Sequence, residues 1–421
     1  MAKYALSKKW LQPFVEKSMD VGALYTSQII VKPRQIIDNN TNEFAFELPS
    51  MGNHLLNLNS VFINVKGKLK KENGDNLDDA DQVALSNFGL ISLFSKSIIT
   101  CGMNQCKIVY DDLPYIYHRN LIDSEKKTSS NFHNIGYFPD WGVKLPTDAS
   151  KFTQYEAKKA LTEKSKSVSF MGKFNSGFFN MDSYMFKNVP IIIELYRSNP
   201  DFYLHTTSKT NYKFVIEDIF LTVDVITPNP TVSQALEDTL ESQKGKISFP
   251  HIFLKRFHLP DNSESVVVNN AFEGVLPRRV SLMILSQGQY LGTKATDPHT
   301  LSIDKYKNIT LKTNDREFCE LDVKKHQLLT FQNFIRSSQC GYDSIVDFDL
   351  FKYSESVITF DFNSLCNDTD LCVNEPRSNG RISLEIQFND PLGSAHMLLI
   401  FCHSFASIEI DSNKNVAFLT K

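Results

Sequence analysis

Hydrophobic and polar residues alternate at a period of two over many short stretches of the chain, the spacing that turns one face of a strand inward and the other outward. The first such stretch holds Phe44, Phe46 and Leu48, and the next holds Val61, Ile63, Val65 and Leu69. The second runs into Lys70-Lys71-Glu72-Asn73-Gly74-Asp75, where Asn-Gly marks a turn. Ser97 to Thr100 and Gln105 to Tyr110 flank Cys101-Gly102-Met103-Asn104, which predicts a tight hairpin. Val168 to Phe170, Pro190 to Tyr196 and Tyr212 to Val225 follow, each bounded by Gly, Pro or Asn.

Two stretches break this rhythm. Asp111 to Lys127 predicts a short helix plus loop, and Thr147 to Lys166 is polar, Lys-rich and helical around Tyr155 to Leu161. Connections of that length inside a domain usually carry function, and both are expected as tower or interface loops on the outside of a barrel.

One helix is signalled at its start by Asn229-Pro230, where Asn can accept from free first-turn amides and Pro supplies the φ of the first helical position. Val232, Leu236 and Leu240 fall on one stripe, Glu237, Asp238 and Glu241 face elsewhere, and Gly245 is placed to end the helix. Strand signals resume beyond it. They comprise Ile247 to Leu259, Ala271 to Leu285 with a turn at Gly274, Ser302 to Leu311, Ile345 to Leu350, Val357 to Phe362, Arg381 to Phe388 and His396 to Ile410. Each half therefore holds about the number of strands that an eight-stranded jelly roll requires. The expected fold class is all-β, with two tandem eight-stranded jelly-roll barrels joined by a short helix. The expected division is an N-terminal arm at 1–25, a first jelly roll at 26–228, a linker helix at 229–245 and a second jelly roll at 246–421.

Composition agrees with this organisation. A chain of 421 residues exceeds what one hydrophobic core usually organises. Its 32 Phe and 15 Tyr against 2 Trp suit strands. With 45 basic and 48 acidic residues, the net charge of −3 offers no single-signed field to a phosphate backbone, so specific nucleic-acid binding by the folded body is not expected. Lys3, Lys8, Lys9 and Lys17 lie near Glu16 and Asp20 and read as a solvated tail. The first residues lack the apolar core of a signal peptide, and the longest apolar run, Met397 to Cys402, falls far short of the roughly 18 residues of a membrane span. Synthesis in the cytosol is expected, with the Asn-x-Thr triplets at Asn39, Asn308 and Asn367 unglycosylated.

The chain offers little chemistry of the enzymatic kind. Nucleotide-binding Gly loops, a Gly-x-Ser-x-Gly elbow, His-Glu-x-x-His and His-x-His are all missing from the sequence, and the ten histidines are scattered. No catalytic, cofactor-binding or metal-binding residue is assigned. Two acidic clusters come nearest to a hard-cation site. Asp347-Phe348-Asp349 is read as the solvent face of a strand whose Phe348 and Leu350 point inward, and Asn367-Asp368-Thr369-Asp370 as an ordinary turn. The seven cysteines contain no Cys-x-x-Cys; Cys366 and Cys372 are close enough in sequence to bridge, but free thiols are the expectation for a cytosolic product.

Several segments resemble a known family when taken in order. Phe272-Glu273-Gly274-Val275-Leu276-Pro277-Arg278-Arg279-Val280, Gly380-Arg381-Ile382-Ser383-Leu384-Glu385-Ile386-Gln387-Phe388 and Ile408-Glu409-Ile410-Asp411 in the second half resemble strands of the hexon-like capsid proteins of Polinton/Maverick elements and adintoviruses. In the first half, Leu90 to Ser95 before the Gly102 hairpin, Phe178-Phe179-Asn180 before Val189 to Ile193, Leu195 to Ser198, and Asn229-Pro230-Thr231-Val232 are similar in the same order. The resemblance spans about Thr26 to Ala417. It implies a double jelly-roll major capsid protein that forms homotrimers of pseudo-hexagonal outline, tiling an icosahedral shell with penton and minor capsid proteins as partners, located in the virion and not an enzyme. Aromatic-rich loop sequence such as Phe132 to Trp141 favours an obligate trimer. The rival readings are a glycan-binding jelly-roll spike or lectin-like module, and a cupin-type or carbohydrate-active enzyme.

Overall fold

The alternating segments pair into antiparallel sheets. The structure, a computed structural model, describes residues 22–38, 41–50, 52–124, 131–139, 154–174, 176–181, 183–206, 208–338, 340–362 and 379–420. In the first half the strands are β1 (Ala23–Val31), β2 (Glu43–Glu47), β3 (Leu55–Lys71), β4 (Val83–Leu85), β5 (Phe94–Cys101), β6 (Cys106–Asp111), β7 (Val168–Lys173), β8 (Ile191–Arg197), β9 (Leu204–Thr206) and β10 (Tyr212–Pro228). In the second they are β11 (Gly245–Leu259), β12 (Ser265–Val275), β13 (Arg279–Ser286), β14 (Tyr306–Thr313), β15 (Arg316–Asp322), β16 (Ile358–Asp361), β17 (Asn379–Phe388), β18 (His396–Ile410) and β19 (Val416–Thr420).

The first half folds into the sheets β1-β10-β3-β7 and β2-β8-β5-β6, with β4-β9 as a small ribbon. The second repeats that order, with β11-β18-β13-β16 and β12-β17-β14-β15, and β19 added beside β18. If the eight main strands of each half are counted in chain order, both halves give one sheet of order first-eighth-third-sixth and another of order second-seventh-fourth-fifth. That is the two-sheet wrapping of an eight-stranded jelly roll, and it occurs twice.

Side-chain alternation explains how the sheets close. Along β3, Leu56, Leu58, Val61, Ile63, Val65 and Leu69 are buried. The phase slips by one between Leu58 and Val61, where the pairing with β10 is broken by an irregularity between Thr222 and Asp224. Two strands do not alternate. The residues of β13 are buried from Arg279 to Leu285, and those of β18 from Leu398 to Cys402, because both faces of that sheet are covered. One face closes its own barrel and the other meets the first half of the chain.

Between the halves runs a helix, Pro230–Ser242, with Asn229 accepting from the Thr231 amide at 3.1 Å. Gly245 does not stop it: the helix ends at Ser242 and Gly245 opens β11. Other expectations are also revised. Gly274 pairs with Gly380 inside β12, so the turn falls after Val275. Ile345 to Leu350 is not a strand, because the Asp347 carboxylate accepts from the Leu350 amide at 2.9 Å and caps a helix at Phe348–Tyr353. The two Asp of that segment therefore do not share a wet strand face. The helices at Leu113–Ser124 and Gln154–Thr162 exist, but Leu113–Ser124 is buried between the halves, not exposed as a tower.

Candidate functional site

For a chain built of two barrels, the geometry that matters first is how one barrel is held against the other. The approach is closest at Gly177, where a Cβ would lie 1.9 Å from the Pro250 carbonyl oxygen on β11. Beside it the Phe178 and Phe249 rings meet edge to face at 5.7 Å. On the loop after β13, Gly292 (φ +94°) takes a conformation that suits only glycine, and a Cβ there would stand 2.7 Å from the Phe202 backbone.

Around these contacts lies a buried polar joint. Two of its side chains, His118 and Arg119 on the Leu113–Ser124 helix, are 0% exposed. Arg119 Nε donates to Ser281 Oγ on β13 at 3.2 Å, and its guanidinium lies 3.3 Å from Asp123 one turn along. Arg279, also on β13, reaches the same Asp123 carboxylate at 3.1 Å. Asp123 is thus held between a cation of each barrel, the arrangement that makes burying a carboxylate tolerable. His403 faces this cluster, and burial together with Arg119, Arg279 and Arg278 keeps it neutral.

A second cluster continues the joint. His118 Nε2 pairs with the Glu355 carboxylate, whose other oxygen accepts from Tyr137 OH at 3.0 Å. His118 Nδ1 lies 3.4 Å from His299 Nδ1, and His299 Nε2 lies 2.9 Å from Ser92 Oγ. Ser92 has one proton to give and two acceptors in reach, the Asn87 carbonyl and His299. Burial and the neighbouring His118 hold His299 down at about 3.

Asp297 anchors the far side, accepting from the Asn87 amide at 2.7 Å and from Lys158 Nζ at 3.2 Å. Burial opposes its ionisation, but Lys158, His299 and two backbone amides outweigh that, and Asp297 sits at about 2. A polar, Lys-rich stretch thus contributes a lysine that is 2% exposed.

The joint has two further fastenings. Asn104, at the tip of the β5–β6 hairpin, exchanges two bonds of 2.9 Å with the backbone of Val416, and the Met103 amide donates to the Lys414 carbonyl at 3.0 Å. Lys414 Nζ meets Glu237 of the linking helix at 2.7 Å. At the opposite side Tyr290 OH donates to Asp112 at 2.9 Å, and Arg256 lies 3.5 Å from the same carboxylate.

The strand order, repeated in each half and locked by this joint, is matched in solved structures. A chain of the Sputnik virophage aligns over 99% of this chain and 93% of its own, with a TM-score of 0.64 at 10% identity. The chain is a double jelly roll. A chain of the PBCV-1 virus capsid aligns over 97% of this chain and 99% of its own, with a TM-score of 0.59 at 9% identity. For the mavirus major capsid protein the figures are 99%, 94%, 0.52 and 14%. These neighbours are double jelly-roll major capsid proteins of giant viruses and virophages. No protein-family model matches the sequence, and neither does any curated protein.

Set in the double jelly roll, the residues weighed from sequence fall in separate places. Asp347 caps a helix, and Cys366, Cys372 and Asn367 to Asp370 lie outside the described residues, as do Lys3 to Lys17, Asn39 and Trp141. Among the described residues no three His, Cys, Asp or Glu side chains stand where they would hold a metal ion, and no helix is long and apolar enough to cross a membrane. The clustering of His118, His299, Glu355 and Asp297 was not foreseen. These residues are far apart in sequence, and only the folded joint brings them together.

Proposed function

We propose that this protein is the major capsid protein of a double-stranded DNA virus or virus-like element, of the Polinton and adintovirus group, and that it catalyses nothing. The observation that carries the reading is the doubled jelly-roll order, matched to capsid proteins over nearly the whole length of both chains. Three copies supply six upright barrels, and a homotrimer of such pairs presents six near-equivalent sides to its neighbours. The domains divide as an arm at 1–25, barrels at 26–228 and 246–421, and a linker at 229–245. Penton and minor capsid proteins complete the shell, and the protein is made in the host cytosol before it enters the virion.

A rigid joint suits this role, because tiling depends on a fixed angle between the barrels of each subunit. Light scattering on the purified chain at micromolar concentration is expected to give the mass of a trimer, and negative-stain images hexagonal particles. A stable, well-folded monomer would overturn the reading. So would glycan binding by that monomer, which would favour the lectin-like alternative.

A further inference from the structure

The β5–β6 hairpin carries a pair of thiols that neither the fold nor the proposed function requires. Cys101 ends β5, Cys106 begins β6, and the two are direct partners in the register of the antiparallel pair. They also share a face. Ser97, Ile99 and Cys101 are buried along one strand, and Ile108 and Tyr110 along the other, which places Cys106 in the same inward row. Antiparallel partners have Cα atoms about 4.5–5.5 Å apart, inside the range of about 4.4–6.8 Å that a disulfide spans. Other described cysteines lack this arrangement, since Cys319 faces Leu311 and Cys402 faces Val280 in register.

We propose that Cys101 and Cys106 form a redox-responsive site, closing as a reversible cross-strand disulfide that locks the hairpin gripping the C-terminal strand. The position gives the bond a consequence. The turn between the two cysteines, Gly102 to Gln105, is the segment whose Met103 and Asn104 hold Lys414 and Val416, and a Cβ on Gly102 would stand 2.7 Å from the Val416 side chain. A covalent rung at the base of that turn keeps its two strands from fraying and so retains β19 against the first barrel.

The oxidant is a low-molecular-weight disulfide such as oxidised glutathione. Cys106, half-buried where Cys101 is fully buried, is the thiol that meets it. The Cys106 thiolate attacks one sulfur and expels the first glutathione thiolate, leaving a mixed disulfide. Cys101 then attacks Cys106 Sγ and expels the second. The two cysteines lose two electrons and two protons, and the oxidant is reduced to two thiols. Burial pushes the Cys101 thiol up to about 12, so the second step is slow at neutral pH and accelerates as pH rises.

Peptide mapping of the full chain tests this directly, because cleavage after Lys96 and Lys107 places both cysteines in one peptide. After incubation with oxidised glutathione, that peptide is expected to have lost two hydrogens and to take up no alkylating reagent, and dithiothreitol is expected to restore both thiols. Cys101→Ser should stop at the mixed disulfide on Cys106. The oxidised wild type should release its C-terminal residues to trypsin more slowly than the reduced protein, a difference lost in Cys101→Ser. Two alkylated thiols after prolonged oxidation would overturn the proposal, as would a glutathione adduct that never resolves in the wild type. Unchanged trypsin release despite a formed bond would remove its role at β19.

Discussion

Gly177 stands against Pro250 so closely that a side chain on the glycine would occupy the position of the proline carbonyl, with a Cβ to oxygen distance of 1.9 Å. Neither backbone can give way alone, because Phe178 packs on Phe249 next to it and β11 is paired along its whole length with β18. Gly177→Ala is therefore expected to push the barrels apart locally and to destabilise the chain by about 1–3 kcal/mol, the usual scale for overpacking. Gly393→Ala is the control, since a Cβ there meets nothing within 4 Å. Thermal unfolding of the two variants side by side checks the claim; equal midpoints would remove it.

Asp123 is the second point on which the joint depends. It lies within 3.3 Å of Arg119 and within 3.1 Å of Arg279, both buried. Removing the carboxylate leaves two guanidinium groups in a desolvated site, which typically costs about 3–5 kcal/mol. Asp123→Ala should lower the urea midpoint strongly. Asp123→Leu should do the same despite filling the volume, because the loss is of charge compensation. A leucine variant as stable as the wild type would show that packing, not pairing, governs this site.

Much of the fold was legible because jelly-roll strands with one wet face write their period into the sequence. Val61, Ile63, Val65 and Leu69 alternate and lie in β3, and His396 to Ile410 matches β18 end to end. What misled were short segments whose polar residues bond locally. Asp347 alternates with Phe348 in a strand-like way, yet its carboxylate caps a helix, a tertiary outcome that periodicity cannot register. Strand β1 was passed over because an edge strand exposed on both faces, as Leu24, Tyr25 and Ile30 are, has no inward row to alternate. The polar joint had no local signature. Lys158 looks like a solvent lysine until Asp297, brought from the other barrel, gives it a partner.

The hairpin grips the segment around β19 through the Asn104 side chain and the Met103 amide. Asn104 gives and receives a bond of 2.9 Å with the Val416 backbone, so Asn104→Ala leaves two backbone groups of β19 to find water. The loss is expected at about 1–3 kcal/mol and to be local, with β19 lifting from the hairpin while the barrels stay folded. Lys414, buried in the wild type, then becomes a trypsin site. Mass analysis should find the chain shortened after Lys414 in the variant and intact in the wild type under the same digestion. A variant that resists trypsin equally would place the hold on β19 elsewhere.

Acid should weaken the chain in two steps, and the sign follows from which state takes up protons. Burial lowers His251 from 6.5 to about 4, and burial with the neighbouring His118 lowers His299 from 6.5 to about 3. Below 6.5 the unfolded chain therefore binds protons that the folded chain refuses, and stability falls as pH drops from 6.5 toward those values. At about pH 5 each such histidine costs roughly 2 kcal/mol. Asp297 acts lower down: its folded value of about 2 against 3.8 means that stability present above 3.8 is lost as pH falls toward about 2. His251 isolates the first step, because it sits among the rings of Tyr110, Phe249, Phe253 and Phe418 and its shift comes from burial alone. His251→Phe keeps a ring in that site and removes the titration. Its stability relative to the wild type should rise steadily as pH is lowered from 7 to 5 and stay constant above 7. A difference that does not change with pH would mean that His251 is protonated as readily in the folded chain as in the unfolded one, and the buried, neutral histidine would have to be abandoned.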